Sequence, residues 1–182
     1  MTITLTPLDV RGQDRAELVA FLTRNRFPFH VNPHPDVQDV QARIDQGAYD
    51  SDGSAALWID DDSRGRLGLV ILEDLDEDAP LFDLRLGTSF RRKGLGVPVL
   101  KAITDHVFST MPEVQRFEGQ TREDNVAMRQ VFVRCGYVKE AHYRDGWPVE
   151  GGAPRASVAY AILRRDWVLG TTTPVQFDDL GY

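Results

Sequence analysis

The chain has 182 residues, 42% of them hydrophobic and 27% charged, a balance that excludes disordered and fibrous classes and leaves room for one well-filled core. Lysine and arginine number 21 against 28 aspartate and glutamate, and the net charge of −7 disfavours nucleic acid as a main partner. Cys135 is the one cysteine, no Cys/His spacing suits a metal, and LGLVIL is too short to span a bilayer; a cytoplasmic protein with no metal and no membrane anchor is expected.

Ile3 and Leu5 alternate into a short strand, and Asp14 to Arg26 sets Leu18, Phe21 and Leu22 on one helical face. His30 to Pro35 (HVNPHP) reads as a proline-broken loop, and Pro35 opens a second helix carrying Val37, Val40 and Ile44 until Gly47 ends it. Ala55 to Asp60 and Arg66 to Leu75 form an antiparallel hairpin across DDSRG, followed by an acidic solvated loop from Asp74 to Pro80. Leu81 to Thr88 is the fourth expected strand. It leads through the basic, glycine-containing SFRRKGLG into a helix that runs to Phe108 with Val97, Leu100, Ile103 and Val107 aligned.

Val114 to Thr121 returns as the fifth strand. Asn125 to Cys135 is a helix whose Met128, Val131, Phe132 and Cys135 recur at helical spacing, with Gly136 as its stop. Tyr137 to Tyr143 and Ser157 to Leu163 are the last two strands, separated by the loop RDGWPVEGGAPR. The expected organisation is one domain over residues 1–169 and a tail, 170–182, that is frayed or docked on a partner subunit. Val175, Phe177 and Leu180 in that tail would find burial against a second copy, so a homodimer is expected.

The stretch Arg91-Arg92-Lys93-Gly94-Leu95-Gly96 places three cations and two glycines at the entrance to a helix. Cations there are unfavourable by roughly 0.3–1 kcal/mol each unless an anion sits with them, and free first-turn N–H groups make that anion a phosphate. Gly94 and Gly96 let the backbone come close, and Pro98 has no N–H for the first turn to waste. Neither a Walker loop nor G-x-G-x-x-G is present, which disfavours nucleoside triphosphate hydrolysis.

Arg91-x-x-Gly94-x-Gly96 after a strand, Asn125 opening a later helix and Gly136-Tyr137 closing it together resemble the GNAT N-acetyltransferase superfamily. The likeness runs from about Leu67 to Trp167; NVAMRQVFVRCGY is similar to the family's N-x-x-A/S segment, and SVAYAILRRDW to the closing strand of the ribosomal-protein N-terminal acetyltransferase branch. The resemblance implies an α+β, three-layer αβα fold whose central, mostly antiparallel twisted sheet splays between strands 4 and 5 to admit acetyl-CoA. Arg91, Arg92, Lys93, Gly94, Leu95, Gly96 and Val97 would then hold the pyrophosphate, and the edge at Leu84, Arg85 and Leu86 would pair with pantetheine and aim N–H at the thioester oxygen.

Asn125 would hydrogen-bond the pantetheine arm, unless it is a plain N-cap. Phe132 stands where many members carry a tyrosine that protonates the departing thiolate; Tyr137 and Tyr143 are the alternatives. Asp83 and Glu118, one on each splayed strand, are the candidate bases, and His30 and His34 lie in the acceptor-recognition loop. Cys135 reads as a small core residue. The activity so implied is transfer of acetyl from acetyl-CoA to a primary amine, a small amine or a protein N-terminus. The alternatives are a non-catalytic acyl-CoA sensor or assembly module, and a regulator that binds another phosphate ligand.

Overall fold

The computed structural model describes residues 2–176. In chain order its first half holds β1 (Ile3–Pro7), α1 (Arg15–Arg24), α2 (Val37–Asp45), β2 (Asp50–Ser51), β3 (Ser54–Asp61), β4 (Gly65–Glu73) and β5 (Leu81–Leu86). Then follow α3 (Gly96–Thr110), β6 (Arg116–Arg122), α4 (Val126–Arg134), β7 (Val138–Trp147), β8 (Arg155–Leu163) and α5 (Arg164–Leu169). The strands make one sheet in the order β1-β3-β4-β5-β6-β8-β7, with β2 paired to β3. Every pairing is antiparallel except β5 with β6.

Each face of the sheet is covered by helices, and the strand periodicity decides which residues meet which helix. On one face Ala56, Trp58, Leu69 and Ile71 pack with Leu18 and Leu22 of α1 and Val40 and Ile44 of α2. On the other, Leu57, Ile59, Val70, Leu72 and Phe82 pack with Val99, Leu100, Ile103 and Val107 of α3 and Phe132 of α4. The β4 strand, buried on both sides, accordingly reads as a nearly continuous apolar run from Leu67 to Leu72. The three-layer, mostly antiparallel, splayed fold expected from the sequence is thus borne out; the short β2 makes the splayed pair β5 and β6.

Element boundaries mostly shift by one or two residues, with the strand expected from Leu81 to Thr88 closing at Leu86 and the short β2 added, and they differ more in three places. First, α2 starts at Val37, because Asp36 caps it and exchanges hydrogen bonds with Asp39 in a closed capping box, leaving Pro35 outside. Second, β7 continues through Trp147: the pairing with β8 shifts between Tyr143 and Trp147, and Asp145 takes φ 55, so Asp145-Gly146 is a bulge in a long strand and the loop is confined to residues 148–154. Third, a short helix, α5, occupies Arg164–Leu169, ended by Gly170 at φ 63. Asp166 then accepts hydrogen bonds from Thr171 and Thr173, which ties the start of the tail back to α5. Of Val175, Phe177 and Leu180, the residues expected to seek a second copy, Val175 is half-buried and the other two lie outside the described residues.

Candidate active site

The site begins where the sheet comes apart. Only Leu81↔Glu118 and Phe82↔Gly119 pair β5 with β6. The Glu118 N–H donates to the Pro80 carbonyl at 3.0 Å, which turns the backbone groups of even-numbered β5 residues toward β6. Past Phe82 the strands diverge, so the backbone of Leu84 and Leu86 faces the opening. Gly119 stands at the fork because a Cβ there would lie 2.7 Å from the rings of Phe132 and Phe82.

A cavity of about 380 Å³ occupies the opening. Its walls are Leu84, Arg85 and Leu86 of β5, the turn from Phe90 into α3, and Asn125, Met128, Val131 and Arg134 at α4. Of the turn residues singled out in the sequence, Arg91, Arg92, Gly94, Leu95, Gly96 and Val97 line it, and Lys93 does not. Arg92 at φ 59 and Gly94 at φ 76 both take left-handed backbone, and that curls the turn around the mouth of the cavity.

The 15-residue α3 opens on this cavity with no acidic residue in its first turn and no side-chain cap. Its first internal bond is Val99 N–H to the Leu95 carbonyl, so Gly96 and Val97 present N–H groups without an intrahelical acceptor. With Arg92 and Arg134 at the rim, the arrangement suits an anion with several oxygens. Arg91 is used differently. Its guanidinium donates to the carbonyls of Leu86 and Arg26 and to Thr88 Oγ1, and partial burial pulls its pKa below the ordinary arginine value.

Asn125 is the N-cap of α4: its side-chain oxygen accepts from Met128 N–H and its amide donates to Thr121 Oγ1 at 2.9 Å. It also lines the cavity, and one amide hydrogen remains for a ligand. Phe132 lines neither cavity. It is fully buried, stacked on Tyr160 at 4.8 Å, while Met128 and Val131 on the adjoining stripe of α4 form the cavity wall. Tyr137 donates or accepts a 2.7 Å hydrogen bond with Thr104 deep in the core, where burial pushes its phenol well above the usual range. Tyr143 is exposed on β7 and lines neither cavity. Burial likewise pushes the Cys135 thiol up to about 11, and its Sγ faces the Val97 carbonyl. Glu118 is engaged by Arg116 at 2.7 Å and by Gln120, and it too lines neither cavity.

A second cavity, about 460 Å³, adjoins the first and shares Pro28, His30 and Arg91 with it. Arg26, Pro33, Arg122 and the β7–β8 connection at Val149 and Glu150 complete its wall. Behind the wall that the cavities share lies a constellation the sequence reading did not assemble, in which His30 lines both cavities, Arg85 the first and Asp83 neither. His30 Nε2 is 2.8 Å from Asp83 Oδ1, and Arg85 grips the same carboxylate through Nε and Nη2, the shorter contact 2.7 Å. Phe27 packs edge-on against His30 and lies 5.0 Å beneath the Arg85 guanidinium. Burial works to raise the Asp83 carboxyl, but the charges of Arg85 and His30 and their hydrogen bonds outweigh it and hold the group well below the usual carboxylate range. His30 Nδ1 is buried and has no hydrogen-bond partner.

Among the described residues no helix is long and apolar enough to cross a membrane, and no group of three or more His, Cys, Asp and Glu is placed to hold a metal. The acetyltransferase (GNAT) domain model matches residues 2–138. No curated protein matches the chain. Among solved structures, the spermidine N-acetyltransferase of Vibrio cholerae in complex with CoA and spermine superposes with a TM-score of 0.76 at 18% identity, covering 91% of this chain and 98% of that one. A structure of the spermidine/spermine enzyme of the same organism with manganese ions gives 0.72 at 17% identity, over 92% and 96% of the two chains. At these identities the likeness is one of fold.

Proposed function

The chain belongs to the GNAT acetyltransferase family and is an acyl-CoA-dependent N-acetyltransferase; from that premise we propose that it acetylates a small primary amine by direct transfer across the two adjoining cavities. The observation that carries this reading is the opening between β5 and β6, lined by the α3 N-terminus on one side and continuous with a second cavity at His30. Acetyl-CoA lies in the first cavity, its diphosphate on the N–H groups of Gly96 and Val97 with Arg92 and Arg134 at the rim, its pantetheine along Leu84 and Leu86. The Vibrio cholerae structure, with CoA and spermine bound, supports a small-amine acceptor over a protein N-terminus.

The amine nitrogen attacks the thioester carbon from the second cavity; a C–N bond forms, the carbonyl oxygen gains charge, the C–S bond breaks to release CoA thiolate, and the second proton that the nitrogen sheds on becoming an amide goes to the thiolate or to water. Backbone N–H groups of β5 that face the opening stabilise the oxyanion. An ammonium ion cannot attack, so its proton must leave first. His30 is the imidazole at the junction, and Asp83 accepts its Nε2–H; the lone pair is then on Nδ1, which is buried in the free protein and takes the proton once the bound acceptor has displaced the wall over it. Asp83 therefore positions the base, and Glu118 and Tyr143 take no part. No tyrosine lines either cavity among the described residues, and the thiolate, a modest base, departs without a phenolic acid.

Calorimetric titration with acetyl-CoA, followed by thiol release with a panel of amines, tests the reading. Binding and amine-dependent release are expected; binding with no release on any amine would leave a sensor, and absence of binding would remove the site. Gly94→Val and Gly96→Val should each weaken CoA binding by about tenfold or more while the circular dichroism stays native. The first forces a β-branched residue to φ 76, and the second sets a Cβ 2.7 Å from Val131 Cγ2. Unchanged affinity in both would displace the diphosphate from this turn.

A further inference from the structure

The second cavity has the wrong charge for a polycation. Arg26 meets no carboxylate among the described residues, and the Arg91 guanidinium is satisfied only by the neutral oxygens of Leu86, Arg26 and Thr88, so its charge is uncompensated. Arg122 is neutralised by Asp124, with contacts of 2.5 and 3.0 Å, and is laid over the Phe29 ring. The remaining wall is Pro28, His30, Pro33, Val149 and one acid, Glu150. Two unpaired guanidinium groups thus face a single carboxylate, in a chain whose overall charge is −7.

We propose that the acceptor is an amine that also carries an anionic group, a carboxylate or a phosphate, which Arg26 and Arg91 bind while the amino group is presented at His30. This deepens the transfer reading above and rests on it. The Arg26 fork matches the paired oxygens of such anions, while Arg91, whose Nε and Nη2 are bound to protein oxygens, offers Nη1 and its charge. The same two cations repel a polyamine, whose several positive charges would have only Glu150 to meet. Specificity then comes from repulsion as well as attraction, and the fold's likeness to spermidine acetyltransferases does not extend to the acceptor's charge.

The test reads binding and turnover separately on matched pairs. Protein saturated with CoA is titrated calorimetrically with the N-acetyl derivatives of glycine, methionine and phenylalanine, with N-acetyl phosphoethanolamine, and with the corresponding acetamides that lack the anion. At least one anionic probe is expected to bind about tenfold or more tighter than its neutral partner, and Arg26→Gln to erase that preference without changing the affinity for CoA. The carboxylate and phosphate arms decide which anion is meant. Equal binding within every pair, no binding by any anionic probe, or a preference that survives Arg26→Gln would overturn the proposal. Thiol release on the free amines, spermidine included, separates the two readings. Preference without release sinks transfer and keeps the anion site, whereas release that is fastest on spermidine keeps transfer and sinks the anion site.

Discussion

Asp83→Asn is expected to lower the free energy of unfolding by about 3–5 kcal/mol, because it strips the carboxylate from a buried guanidinium. Arg85 is only 6% exposed, its Nε and Nη2 are spent on Asp83, and the Phe27 ring closes it from below. An amide cannot neutralise it, and little of it reaches water. The double variant Asp83→Leu with Arg85→Leu should be more stable than Asp83→Asn alone, since it leaves no stranded charge. The pH dependence has a definite sign. The carboxyl's pKa is depressed on folding, so its contribution is fully present above its unfolded value of about 3.9 and is lost as pH falls below that toward the folded value. Denaturant melts of wild type and Asp83→Asn should therefore lie far apart at neutrality and draw together in acid. A loss below about 1 kcal/mol at neutral pH, typical of exposed pairs, would refute the assignment of this pair as buried and strong.

His30→Gln should reduce kcat by about 10²–10⁴-fold, the range a positioned proton acceptor contributes, with the KM for acetyl-CoA little changed. The glutamine amide can still bond Asp83 but offers no basic nitrogen. The distinguishing readout is calorimetry beside turnover: the variant binds acetyl-CoA as the wild type does while thiol release slows, whereas a merely structural loss would weaken both. Retention of the rate would transfer the proton to solvent and remove His30 from the chemistry.

Those features that reside in contiguous residues were readable in the sequence. The strand, basic turn and helix around Arg91 to Val97 announce themselves locally, through charge where charge is unwelcome and glycine where the backbone must curl. The start of α4 at Asn125 is similarly local. Features that depend on direction were not readable. Arg91 looks like a phosphate ligand by its neighbours, yet its guanidinium turns inward to three oxygens of the protein. The apolar stripe of α4 is continuous in sequence, but the structure divides it: Met128 and Val131 wall the cavity while Phe132 is in the core with its ring against Gly119. Apolarity marks both uses alike. The His30 to Asp83 contact bridges 53 positions, and neither residue's neighbours carry any sign of the other. Asp83 was singled out because of the strand it sits on; that it serves an imidazole and an arginine emerges only from the folded register.

The fork at Phe82 has a mechanical consequence. An eight-stranded sheet is ordinarily stiff across its width, but here one seam is stitched by two residue pairs, with the strands beyond it unzipped. In the proposed binding mode acyl-CoA laid along Leu84 and Leu86 would supply the missing stitches, so the cosubstrate would act as a temporary strand as well as a donor. Each catalytic cycle would then alternate between a sheet with a slack seam and one drawn taut, and release of spent CoA would loosen the very seam through which the next donor enters.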